Sequence, residues 1–279
     1  MKRFFISFVP GLLAALVGAS PLQAATTDWI EVEGGAVRLI SAGPPEDGIY
    51  MTGLEFQLEP GWHTYWRYPG EAGIPPQITR SQSDNLKDFE VLYPAPERYS
   101  DGFSSSIVYH NAIVLPIRVT PEDPGAPVTL AFDLFFGVCN DICVPGEASL
   151  SLELSPDDDG DRLSAKLIDR DLAAVPTKAE DDALVITGVT LSDAGDSLLI
   201  ETKLPPGAEA DLFAAAPAGS YIGLPDVQSR SEGTALWALS TRGLKSEPQD
   251  HDLHLVLKAG GVSVEHDVAI QPEWLAKAQ

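Results

Sequence analysis

Cysteine is almost missing from this chain: two residues in 279, Cys139 and Cys143. That scarcity excludes a disulfide-dense scaffold and a structural zinc site, which would want four ligands. Basic residues are also few, 18 against 41 acidic, for a net charge of −23. A balance that acidic argues against nucleic acid and against anionic membrane surfaces as partners. Past the first two dozen residues no apolar run approaches the roughly 20 residues of a helical span, so direct membrane insertion is not expected.

The first residues carry what the rest lacks. Lys2 and Arg3 precede an apolar run from Phe4 to Val17, interrupted by Pro10, and Leu22-Gln23-Ala24 forms a small-residue cleavage site. This is the pattern of an export signal over residues 1–24, with Ala25 as the mature start and an oxidising compartment as the destination. Without Lys2 and Arg3, 16 basic residues face 41 acidic ones, a net charge of −25. That charge favours a basic face on a partner and is also what a plain soluble surface would show.

Glycine (24) and proline (23) are plentiful, and short apolar or alternating runs lie between them. The runs 37–41, 50–58, 107–120, 128–138 and 148–154 read as strands, as do 184–191, 197–204, 234–240, 252–259 and 262–270. Turn chemistry such as Pro205-Pro206-Gly207 and Gly260-Gly261 separates them. An all-β protein of two β-sandwich domains is expected, over 25–155 and 183–279. Between them, 157–175 has Leu163, Leu167, Ile168 and Leu172 at helical spacing, so 156–182 reads as a short helical linker. The acid run Asp157-Asp158-Asp159 fails the calcium-loop template, which would place Lys166 where a glutamate is required. His251, His254 and His266 are scattered over two predicted strands and form no metal site.

The two cysteines stand four apart in Phe135-Phe136-Gly137-Val138-Cys139-Asn140-Asp141-Ile142-Cys143-Val144-Pro145. In one straight strand their Cα atoms would lie ~13 Å apart, so a bond requires a turn, which Asn140 and Asp141 tolerate. A closed loop that short gains only about 2 kcal/mol, and a chain this long builds its core without staples. Thiol–disulfide exchange therefore explains the pair better than stability does. An inert local disulfide and a soft-metal site, with two thiolates holding Cu(I), remain open.

The stretch Cys139-Asn-Asp-Ile-Cys143-Val-Pro145, after an aromatic strand, resembles the N-terminal periplasmic domain of the DsbD-type thiol:disulfide interchange proteins. Two more segments match in order: Gly61-Trp62-His63-Thr64-Tyr65-Trp66-Arg67-Tyr68-Pro69-Gly70 with Gly73-Ile74-Pro75-Pro76, and Tyr93-Pro94-Ala95-Pro96-Glu97-Arg98 with Val114-Leu115-Pro116. The nearest likeness is to the ScsB-type branch, associated with copper tolerance. The resemblance implies immunoglobulin-like sandwiches and a protein-disulfide reductase without cofactor or metal. It would pass electrons from a membrane reductase to oxidised thioredoxin-fold proteins of the periplasm. The family's membrane and thioredoxin-like domains are not found in these residues, so a separate membrane electron donor is expected. A partner-binding or copper-handling module is the alternative.

By position, Cys143 matches the cysteine that forms the mixed disulfide, and Cys139 the one that resolves it. Tyr99–Phe103 lies where the family's cap loop falls, with Asp101 in it and Phe103 as the candidate lid. Tyr65 and Asp141 are expected at the active-site surroundings, and the charge of Asp141 would raise a nearby thiol pKa. Trp62, Tyr65 and Trp66 also suit core positions, while His63 and His110 read as plain polar residues.

Overall fold

The computed structural model describes residues 25–180 and 182–275; the export signal expected over 1–24 lies outside them. The described chain folds as two immunoglobulin-like sandwiches, each of two sheets, with antiparallel pairing throughout except for one short parallel strand.

In the first sandwich, one sheet runs in the spatial order Ile30–Val32, Gly35–Ser41, Tyr50–Leu58, Ala112–Pro121, Leu86–Val91. The other runs Cys143–Leu154, Val128–Cys139, His63–Gly70, Ser105–His110, Glu97–Ser100, and Gln77–Arg80 also pairs with Val128–Cys139. The second sandwich pairs Thr177–Lys178, Val262–Ala269, Asp252–Ala259 and Ala210–Ala215 in one sheet. Its other sheet runs Val185–Leu191, Ser197–Lys203, Thr234–Ser240, Asp226–Ser231.

Period-two burial builds these layers. In Cys143–Leu154 the even positions Ala148, Leu150, Leu152 and Leu154 are buried and the odd positions Glu147, Ser149, Ser151 and Glu153 are exposed. In Val128–Cys139, Phe132, Leu134, Phe136 and Val138 enter the core while Asp133 faces out. Differences from the sequence reading follow from local chemistry. The run 107–120 is two strands, because Asn111 adopts φ +62°, a left-handed turn that asparagine tolerates. Asp226–Ser231 was not foreseen because every residue of it is exposed, leaving no alternation to read.

The helix spans Arg162–Leu172. Asp161 is its N-cap, accepting from the Ser164 amide at 2.8 Å, and the acids 157–159 lie ahead of it. It does more than connect. Ile168 is buried against Ile40 and Val114, and the Asp171 carboxylate accepts from the Val114 amide at 2.7 Å. The helix is thus seated on the first sandwich. Buried apolar side chains of both sandwiches form one continuous cluster. No helix among the described residues is long and apolar enough to cross a membrane.

Candidate functional site

Val128–Cys139 and Cys143–Leu154 form a long hairpin whose register runs from Val128 opposite Leu154 to Cys139 opposite Cys143. Asn140, Asp141 and Ile142 make the turn, with the Asn140 amide donating to the Ile142 carbonyl at 3.1 Å. The cysteines are disulfide-bonded with Cα atoms 4.1 Å apart, so the bond bridges directly across the last pair of the ladder.

The parity that sends Phe136 and Val138 into the core sends both sulfurs to the sheet's outer face, where the two differ sharply. Cys143 is exposed, as are Asp141 and Ile142 beside it, whereas Cys139 is only 1% exposed. Tyr65, Val108 and Tyr99 cover Cys139 in a small cluster separate from the main core. Opposite Cys139 in the ladder stands His63, and opposite His63 stands His110.

Tyr65 is the closest companion of the pair. Its hydroxyl lies 2.8 Å from the Cys139 Sγ, to which it donates, and 3.2 Å from the Cys143 Sγ. Two glycines make room for the ring. A Cβ on Gly73, whose φ is +127°, would overlap the ring, and one on Gly137 would come within 3.0 Å of it. Thr64 fixes the neighbouring strand by donating to the Gly137 carbonyl at 2.9 Å. Burial, with help from the charge of Asp101 and from Tyr99, pushes the Tyr65 pKa up to about 12, so its hydroxyl stays protonated as a donor.

His63 is buried beside them, its ring 4.7 Å from Tyr99, 5.4 Å from Tyr65 and 5.6 Å from His110. Burial and the proximity of His110 lower its pKa to about 4, although Asp101 acts in the opposite sense. It is therefore neutral at ordinary pH, and its Nδ1 has no hydrogen-bond partner. Both histidines that read as plain polar residues thus line the disulfide's surroundings. The signal for this was parity: His63 and Tyr65 are two apart, on one face of one strand.

The Tyr99–Phe103 segment joins the edge strand Glu97–Ser100 to Ser105–His110. Asp101 shapes the turn, its carboxylate accepting from the Phe103 and Ser104 amides at 2.8 Å each, and these bonds lower its pKa. Phe103 is fully exposed, so the expected lid does not cover the disulfide in this structure. The site thus gathers Cys139, Cys143, Tyr65, His63, His110 and Tyr99, with Asp141 at its rim and Phe103 standing clear. Among the described residues no group of three or more histidine, cysteine or acidic side chains could hold a metal.

Comparisons with known proteins bear on the first sandwich and on the fold as a whole. The family profile "Thiol:disulfide interchange protein DsbD, N-terminal" matches residues 40–155. The crystal structure of the N-terminal periplasmic domain of ScsB from Proteus mirabilis superposes with a TM-score of 0.69 at 22% identity, covering 88% of this chain and 98% of that one. At that identity the superposition establishes a shared fold, and it extends through the second sandwich. A complex of Dpr2 Ig1-Ig2 with DIP-Theta Ig1-Ig3 matches at 10% identity over 80% of this chain and 72% of that one, with a TM-score of 0.19 that bears no weight. No curated protein matches the sequence significantly.

Proposed function

We propose, from the premise that residues 40–155 are a DsbD N-terminal-type domain of the thiol:disulfide interchange family, that this protein is a periplasmic disulfide reductase working through Cys139 and Cys143. The observation that carries the reading is the asymmetry of the pair: an exposed Cys143 sulfur bonded to a buried Cys139 sulfur, with one tyrosine hydroxyl reaching both.

In the dithiol form, the exposed Cys143 is the sulfur a partner can reach. Its thiolate attacks one sulfur of the partner's disulfide; a mixed S–S bond forms and the partner's other sulfur leaves as a thiolate. The Cys139 thiolate then attacks the Cys143 Sγ, restoring the intramolecular bond and releasing the partner as a dithiol. Two electrons have moved to the partner, and a separate membrane donor returns the chain to its reduced form. The Tyr65 hydroxyl donates to whichever sulfur carries the charge, which favours the thiolate and opposes the nearby acids. Burial reserves Cys139 for the resolving step.

Thioredoxin-fold proteins of the periplasm are the proposed acceptors, and the export signal over 1–24 is the proposed route there. We assign the working sandwich to 25–155, the connector to 156–182 and the second sandwich to 183–279. A Cys139→Ala variant in periplasmic extracts should accumulate mixed disulfides through Cys143, visible on non-reducing gels and identifiable by mass spectrometry. No trapped partner, or a reduction potential below about −300 mV, would instead mark an inert structural bond. N-terminal sequencing of the exported protein should begin at Ala25.

A further inference from the structure

The strand His63–Gly70 and the edge strand Glu97–Ser100 each present one side to the disulfide and another to the second sandwich. His63–Gly70 pairs regularly with Ser105–His110 through Tyr65 opposite Val108, then bulges before resuming with Gly70 opposite Ser106. The bulged residues turn toward the second sandwich. Trp66 packs on Phe213, ring centroids 6.4 Å apart, and the Tyr68 hydroxyl accepts from the Ile222 amide at 2.7 Å. One residue before the bulge is Tyr65, with its hydroxyl on the sulfurs.

The edge strand repeats the arrangement. Tyr99 packs in the cluster over Cys139, while its neighbour Arg98, on the opposite face, is held by the second sandwich. Arg98 grips Asp211 through two nitrogens, Nη2 to Oδ1 at 2.9 Å and Nε to Oδ2 at 3.2 Å. Its Nη2 also donates to the Pro225 carbonyl at 2.9 Å. A forked, partly buried guanidinium fixes direction as well as distance. Lys258 donates to the Pro96 carbonyl at 3.2 Å, two residues further back along the chain.

The root of the cap turn is tied in as well. The Glu71 carboxylate accepts from the Ser105 amide at 2.7 Å, and the Tyr221 hydroxyl of the second sandwich donates to the Glu71 carbonyl at 2.9 Å. Every one of these contacts ends on residues 66–71 or 96–98, the segments flanking Tyr65, Tyr99 and the Asp101 turn.

We propose that the second sandwich is a positioning element for the disulfide: by gripping Arg98, Tyr68 and Glu71 it holds Tyr99 and the Asp101 turn in place around Tyr65 and Cys139. This rests on the exchange function proposed above. Arg98 touches neither sulfur, so it is a positioning residue and acts through its neighbour Tyr99.

The test uses the full chain, reduced, with glutathione disulfide as the oxidant and the pH profile of Cys143 alkylation as a second readout. Arg98→Met keeps the apolar stem and loses the fork; Arg98→Lys keeps the charge; Tyr221→Phe loses one exposed hydroxyl bond. Expected are a fall of about three- to tenfold in exchange rate for Arg98→Met with a displaced alkylation profile, partial recovery in Arg98→Lys, and a smaller fall in Tyr221→Phe. Parental rates and profiles in both Arg98→Met and Tyr221→Phe would overturn the proposal. Should Arg98→Met not fold, Tyr221→Phe decides alone, a parental rate and profile counting against it. A parent chain that does not exchange with glutathione disulfide would instead overturn the exchange function itself.

Discussion

Thr202 in the second sandwich and Tyr65 in the first are both buried hydroxyls on paired strands, and the fold uses them differently. Thr202 donates to the Ala235 carbonyl at 3.1 Å and accepts from the Trp237 Nε1 at 3.2 Å, a closed arrangement between adjacent strands. Tyr65 directs its hydroxyl at a disulfide with one sulfur in solvent, next to a histidine whose Nδ1 has no partner. The two sandwiches share a build, yet Thr202 serves the cohesion of its own sheet while Tyr65 turns its hydroxyl toward the disulfide. The proposed chemistry sits on one outer face of one sheet, and the layered fold is its support.

The largest effect that could break this contrast comes from the sulfurs. Cys143→Ala should abolish exchange with protein disulfides altogether, measured as turnover of an oxidised thioredoxin-fold substrate. Persistent activity would mean that the exposed sulfur is not the one that meets the partner. In the second sandwich, Leu198→Ala at a fully buried position should lower the unfolding free energy by about 2–5 kcal/mol in urea titrations. Exchange by the remaining folded protein should be unchanged, since Leu198 makes none of the contacts that hold Arg98.

A pH dependence sharpens the contrast further. His63 has a folded pKa of about 4 against 6.5 in the unfolded chain, because burial disfavours its charged form. The unfolded state then binds the proton more readily. The contribution to stability is complete above about pH 6.5 and is lost as the pH falls toward 4. Urea midpoints across that window should decline in the parent, and His63→Leu should flatten that part of the slope. Tyr65→Phe removes one donor to the sulfurs and completes the series. A hydrogen bond to a charged group contributes about 1.5–3 kcal/mol, so the Cys143 or Cys139 thiol pKa should rise and exchange at neutral pH slow by about tenfold or more. Iodoacetamide alkylation against pH measures it, and an unmoved profile would show that Tyr65 is only packing.

Much of the fold was legible because alternation and turn residues agree with each other. Tyr50–Leu58 was bounded correctly from its apolar pattern, whereas the helix read within 157–175 from Leu163, Leu167, Ile168 and Leu172 is shorter, Arg162–Leu172. The misses have physical causes. Asp226–Ser231 is exposed along its length and Glu97–Ser100 is short and at an edge, so neither buries a readable face. The need for a turn between the cysteines followed from distance alone. What sequence could not supply was the pairing of strands far apart in the chain. The family resemblance put Tyr65 at the active-site surroundings, but its contact with Cys139 comes from a pairing of His63 with Cys139 across 76 positions, which the residues of neither segment announce. Phe103 shows the reverse: its place in the cap segment was legible, its side chain's direction was not.

The Val128–Leu154 hairpin has a consequence for turnover. Its register pairs eleven residues of each strand before the cysteines are reached, and its inward side chains belong to the main core. The sulfur–sulfur bond closes an already zipped end, so opening it releases no chain and exposes no core. Oxidised and reduced forms can then share one backbone, and the proposed two-electron cycle would need little conformational work. A carrier built this way should hand over electrons at a pace set by encounter with its partners rather than by its own refolding.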